Sequence, residues 1–80
     1  MRVTIRLFAR LRDIAGAGEL VRETSGATVG AVWSGLVAEF PELSPYEKSI
    51  SCAVNADYSR FTATVADGDE VAFLPPVSGG

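Results

Sequence analysis

The closing segment Pro75-Pro76-Val77-Ser78-Gly79-Gly80 holds the one group with an evident use in covalent chemistry, the α-carboxylate of Gly80. Glycine has no Cβ and accepts backbone angles closed to other residues, so Ser78-Gly79-Gly80 can pass through a channel too narrow for ordinary side chains. A free α-carboxylate is ionised at neutral pH, with a reference pKa of about 3.3–3.7, and is a poor electrophile. Acyl chemistry at Gly80 therefore needs prior activation by another enzyme, and the chain is expected to be a substrate that brings its reactive end to partners. Gly79 gives that end access. Pro75 and Pro76 forbid sheet pairing and helix, which sets residues 75–80 apart as a flexible functional tail with Val77 as its apolar anchor.

Other chemistries find little support. Among 80 residues there is no histidine, one cysteine and a formal net charge of −3, so the commonest general base and metal ligand is missing, and serines and threonines have no histidine to activate them. Cys52 alone makes neither an internal disulfide nor a zinc site. A persulfide there would need an exposed, electropositive setting; a shared strand face with Val54 reads instead as a small buried hydrophobe. Asp67, Asp69 and Glu70 cluster at a turn and read as a solvated loop, not a metal site. Gly16-Ala17-Gly18 lacks the later glycine and the lysine of a phosphate-binding loop.

The acidic balance disfavours nucleic acid. No apolar run approaches the length of a membrane span, and MRVTIRLFARLRD alternates where a signal peptide needs an unbroken apolar stretch. These features predict a cytoplasmic protein, neither exported nor membrane-anchored, with no bound cofactor or metal.

The elements that must position the tail follow from periodicity. Arg2–Leu7 alternates strictly, with Val3, Ile5 and Leu7 on one face; Phe8 falls on the opposite, arginine-bearing face. Residues 9–15 suit a short helical turn stopped by Gly16 and Gly18, and Glu19–Glu23 a second strand. Thr28 is a good N-cap, followed by the helical stripe Val29, Val32, Trp33, Leu36, Val37 and Phe40, which Pro41 ends. Glu42–Ser49 reads as a connecting loop with one turn of helix, Ser51–Val54 as a strand, Asn55-Ala56-Asp57 as a turn and Tyr58–Val65 as a short irregular strand. After the Asp67-Gly68-Asp69 turn, Glu70–Leu74 is the last strand, with Val71 and Phe73 on one face and Ala72 and Leu74 on the other. One domain over residues 1–80 is expected, of α+β class: a mixed sheet of four to five strands with one main helix packed across it and an extended C-terminal tail.

Three segments, DGDEVAFLPPVSGG (67–80), RLFARLRDIAG (6–16) and the AVN turn (53–55), resemble the small subunit of molybdopterin synthase, a family of ubiquitin-like sulfur carriers. The resemblance runs through essentially the whole chain and is most specific in its last fourteen residues. It implies a β-grasp fold, in agreement with the element order read above. It also implies a mechanism: an adenylyltransferase similar to ubiquitin-activating enzymes uses ATP on the carboxylate of Gly80, a sulfur donor converts it to a thiocarboxylate, and the sulfur passes to cyclic pyranopterin monophosphate inside the large synthase subunit. On that footing the chain is a non-catalytic subunit of a sulfurtransferase complex, with the catalytic groups on the large subunit.

Phe8, Arg12, Tyr58 and Leu74 match the family's contact surface for the large subunit, and the tail residues Pro75, Pro76 and Val77 extend it. Tyr58 departs from the aliphatic residue usual at its position. Two alternatives share the glycine terminus: a sulfur carrier for thiamine, cysteine or tRNA thiolation, and a ubiquitin-like protein modifier. A third is an interaction module with an inert terminus.

Overall fold

The structure, a computed structural model, describes residues 1–25 and 27–76. Alternation dictates the first strand: in β1 (Arg2–Leu7) the apolar set Val3, Ile5 and Leu7 is buried and the polar set is not, as a sheet with one covered face requires. The chain leaves β1 through an extended Phe8 and enters α1 (Ala9–Ala15), which sinks Leu11 into the core and closes on a left-handed Gly16 whose N–H donates to Arg12 O. The antiparallel return is β2 (Glu19–Glu23), paired from Arg2 opposite Glu23 to Arg6 opposite Glu19.

Helix α2 (Val29–Glu39) starts where the Thr28 hydroxyl accepts from Ala31 N at 3.2 Å, satisfying one of the N–H groups a helix start leaves orphaned. Two more are taken by a distant loop, Val29 N donating to Ala63 O at 3.0 Å and Gly30 N to Phe61 O at 2.9 Å. The stripe Val29, Val32, Trp33 and Leu36 is buried against the sheet, where the Trp33 ring lies 5.0 Å from Phe73 and 6.3 Å from Phe61. This packing offsets the interior Gly35, which costs about 1 kcal/mol in a helix relative to alanine.

The helix ends at Glu39, and the connection contains a 3₁₀ segment over Pro41–Tyr46 that buries Leu43. Then come β3 (Ser51–Val54), β4 (Asp57–Ser59) and β5 (Glu70–Leu74). The five strands form one mixed sheet in the order β2-β1-β5-β3-β4, with β5 parallel to β1 and antiparallel to β3. This is the α+β, β-grasp arrangement expected from the sequence.

The strand expected over Tyr58–Val65 is shorter: β4 starts at Asp57 and stops at Ser59, and the following residues cross to the start of α2, where Thr64 bridges Thr28 and Val65 enters the core. Their backbone groups are committed to the helix end instead of the sheet. Among the described residues, no helix is long and apolar enough to cross a membrane.

Candidate functional site

The parallel register of β1 and β5 determines what stands at the root of the tail. Arg6 faces Ala72 and Leu7 faces Phe73, so the next residues, Phe8 and Leu74, come side by side where both strands end. Leu7 and Phe73 point into the core. Phe8 and Leu74, one step out of phase, therefore point to the outer face, the one away from α2. Phe8 is 39% exposed and Leu74 half-buried. Leu74 also faces Ser51 on β3. Pro75 follows directly, and neither it nor the exposed Pro76 belongs to a strand.

One row of residues runs across all five strands on this outer face: Tyr58, Ala53, Ala72, Arg6 and Glu19 are successive cross-strand partners. With strands about 4.8 Å apart, Tyr58 stands roughly 10 Å across the sheet from Ala72. The small side chains of Ala53 and Ala72 leave a low floor between Tyr58, 80% exposed, and Phe8. An apolar patch so bounded suits an interface with another protein.

Arg12 is also exposed but stands apart. It rides on α1, and its stem packs over the backbone at Gly18, where a Cβ would meet Arg12 Cδ at 3.0 Å. Gly18 O accepts from Leu7 N at 2.9 Å, so Arg12 lies on the β2 side of β1 and Leu74 on its β5 side. No carboxylate among the described residues pairs with the Arg12 guanidinium. The structure thus brings Phe8 and Leu74 together, sets Tyr58 on the same face and holds Arg12 on the flank. Val77, Gly79 and Gly80 lie outside the described residues.

Arg6 is a site residue that sequence reasoning passed over. Its guanidinium carbon sits 5.8 Å from the centre of the Phe8 ring, and its nitrogens reach Glu19 at 3.9 Å and Glu70 at 3.7 Å. Exposed ion pairs of this length add little stability; their effect is to orient the arginine over the aromatic face. The signal was available, because residues two apart on a strand share a face.

The remaining candidate groups have structural employment. The Cys52 thiol is buried and donates to Ser59 O at 3.0 Å, and burial pushes its pKa up, so it stays protonated and poorly nucleophilic. Asp67 accepts from Arg2 N at 2.7 Å. Asp69 accepts from Ala66 N at 2.8 Å and from Asn55 Nδ2 at 3.0 Å. These bonds hold the two ends of the sheet's turns together.

A family model, that of the ThiS family, matches residues 5–80 of the chain. The molybdopterin synthase sulfur carrier subunit of Arabidopsis thaliana is 35% identical over 79 residues, covering 98% of this chain and 82% of the relative. Its counterpart in Chlamydomonas reinhardtii is 35% identical over 83 residues, covering both chains in full. Among solved structures, SAMP1 from Haloferax volcanii superposes with a TM-score of 0.88 at 32% identity, with all of each chain covered.

Proposed function

The chain belongs to the ThiS family, and we propose that it is a sulfur carrier of molybdenum cofactor biosynthesis, the small subunit of a molybdopterin synthase. The carboxylate of Gly80 attacks the α-phosphate of ATP on an adenylyltransferase, giving an acyl-adenylate and releasing pyrophosphate. A sulfur donor then displaces AMP and leaves a thiocarboxylate. That sulfur bonds to a carbon of cyclic pyranopterin monophosphate in the large subunit as an oxygen substituent leaves that carbon, and water then hydrolyses the resulting thioester to Gly80 and restores the carboxylate, so each dithiolene consumes two charged carriers. The bases and oxyanion stabilisers belong to the partners, and ATP serves the activating enzyme, in keeping with a chain that has no histidine.

The observation that carries this reading is the place where β5 ends. Leu74, at the root of the tail, stands beside Phe8 in an apolar patch of the outer face, so a partner that grips Phe8, Leu74 and Tyr58, with Arg12 at the margin, meets Pro75 and Pro76 as they leave the sheet. Gly79 and Gly80 would then reach the partner's active site with no side chain in the way.

Intact-mass analysis after incubation with the activating enzyme, ATP and a sulfur source tests it. A sulfur-for-oxygen mass gain localised to Gly80 is expected. Deleting Gly80, or adding one residue after it, should abolish transfer while leaving the fold intact; retained transfer rejects the proposal.

A second reading, in which activated Gly80 is joined to lysine amines of other proteins, is favoured by the similarity to the small archaeal modifier protein of Haloferax volcanii. Amide-linked adducts formed in cell extract without a thiocarboxylate would support that reading instead.

A further inference from the structure

Three large apolar side chains are exposed among the described residues, Phe8, Val21 and Tyr58, and the surface at the tail root accounts for two of them. Val21 lies elsewhere, at the middle of β2, an edge strand of the sheet. Met1 and Thr24 exchange both backbone hydrogen bonds, at 3.0 and 2.8 Å, and Leu7 N donates to Gly18 O. Because pairs in an antiparallel ladder alternate, the backbone groups of Leu20 and Arg22 face β1, and those of Glu19, Val21 and Glu23 face the open edge. One of the outward groups is occupied: Val21 O accepts from Arg22 Nη1 at 2.9 Å. The outward N–H groups have no partner among the described residues.

The side chains along this edge form a charge pattern. On the outer face Val21, 49% exposed, stands between Glu19 and Glu23. β1 already shows which strand that pattern accepts: Arg2 faces Glu23, Thr4 faces Val21 and Arg6 faces Glu19. A second copy is a poor occupant, because antiparallel pairing of two β2 strands about Val21 sets Glu19 opposite Glu23 on one face, and parallel pairing in register stacks each glutamate on itself. Like charges directly opposite are destabilising.

We propose that the free edge of β2 accepts an extended segment of a partner protein in which basic residues flank a β-branched residue two positions away on each side, added to the sheet as a further strand. Backbone bonding to Glu19, Val21 and Glu23 supplies the affinity, and the two carboxylates select the charge. On the helix side of the same edge, a cleft of about 110 Å³ lined by Val3, Ile5, Arg22, Val32, Gly35 and Leu36 leaves room for a small alternate side chain of the incoming strand. Arg22 must release the Val21 carbonyl as the strand docks, so binding competes with that contact.

The test is a titration of the isotope-labelled full chain with the peptide acetyl-Lys-Thr-Val-Thr-Lys-amide, followed by amide resonances. Saturable shifts are expected at Glu19, Val21 and Glu23, reached at about tenfold lower concentration than with the same peptide carrying Glu in place of Lys. The comparison of the two peptides on the unaltered protein is decisive by itself. The double variant Glu19→Lys, Glu23→Lys should reverse the preference, and Val21→Pro, which deletes an outward N–H that β1 does not use, should weaken binding of both. Equal response to the two peptides, shifts confined to other strands, no shifts at all, or concentration-dependent shifts at β2 without peptide would each overturn the proposal, the last by assigning the edge to a second copy.

Discussion

Arg22 on β2 and Glu39 at the last turn of α2 form a two-pronged ion pair, Nε to Oε2 at 2.9 Å and Nη2 to Oε1 at 2.5 Å. The pair fastens the edge strand to the helix that covers the sheet. The hydrogen bond from Arg22 holds the Glu39 carboxyl below its ordinary pKa. A carboxyl depressed in the folded state contributes stability that is present above its unfolded pKa and is lost as pH falls through the folded value. Both side chains are more than a third exposed, so solvent screening limits the pair to about 0.5–1 kcal/mol. Glu39→Gln should therefore lower stability by that amount near neutral pH, and its denaturation curve should merge with the parent's once the carboxyl is protonated. A deficit that stays constant into acid would contradict this assignment.

The β3–β4 turn carries a strain that one substitution can relieve. Asn55 and Ala56 have φ of 50° and 73°, the left-handed pair of a tight hairpin, for which Asn-Gly is the favoured sequence. Asn55 suits its position: Oδ1 accepts from Glu70 N and Nδ2 donates to Asp69, each at 3.0 Å. Ala56 does not. A left-handed non-glycine residue costs about 1–2 kcal/mol, against about 0.5–1 kcal/mol of extra chain entropy for glycine. Ala56→Gly should accordingly raise stability by up to about 1 kcal/mol, and Asn55→Ala should lower it by about 1–2 kcal/mol through lost hydrogen bonds. Chemical denaturation of both variants checks the pair, and a destabilised Ala56→Gly would refute the account.

Where hydrophobic period and turn chemistry agree, local pattern was enough to read the chain. β1, β2, β3, β5 and the Thr28 cap lie where alternation, helical spacing and capping put them, and Phe8 and Leu74 were recognisable on the outer face because each falls out of phase with a core set. What local pattern does not carry is which distant partner a backbone group chooses. Residues 60–65 alternate well enough for a strand, yet Phe61 O and Ala63 O are taken by the first turn of α2 and Val65 N donates to Ala27 O, which cuts β4 short. The same limit applies at the site. Parallel pairing of β1 with β5 sets Phe8 beside Leu74 and leaves Arg12 on the opposite flank of β1, and neither relation is encoded within either segment.

Gly30, in the first turn of α2, and Gly35, in its interior, should respond differently to alanine. At Gly35 a Cβ would find nothing within 4 Å, whereas at Gly30 it would come 3.3 Å from Phe61 O, the carbonyl that Gly30 N itself engages. Alanine gains about 1 kcal/mol over glycine in a helix interior. Gly35→Ala should show a gain of that order. Gly30→Ala should show none, because the loop must retreat and stretch a bond that caps the helix. Equal thermal shifts for the two variants would mean that the Phe61 loop yields freely.

Phe8 offers the sharpest separation between binding and folding. Its ring lies on the outer face under Arg6 and beside Leu74, outside the core that Val3, Ile5, Leu7 and Phe73 form with α2. Phe8 is 39% exposed, so truncating it gives up the covered part of the ring without opening the core, and Phe8→Ala should lower stability by about 1–2 kcal/mol while the fold is kept. If the large subunit docks on this face, Phe8 is the aromatic anchor at the tail root, and the same variant should weaken that association by about 2 kcal/mol or more. Tyr58→Ala, three strand spacings or roughly 14 Å across the sheet from Phe8 and 80% exposed, should cost less. Calorimetric titration of each variant against the large subunit, alongside its unfolding curve, separates the two quantities. Unchanged affinity in Phe8→Ala, with only the unfolding midpoint falling, would make Phe8 a cover for the sheet end and move the docking surface elsewhere.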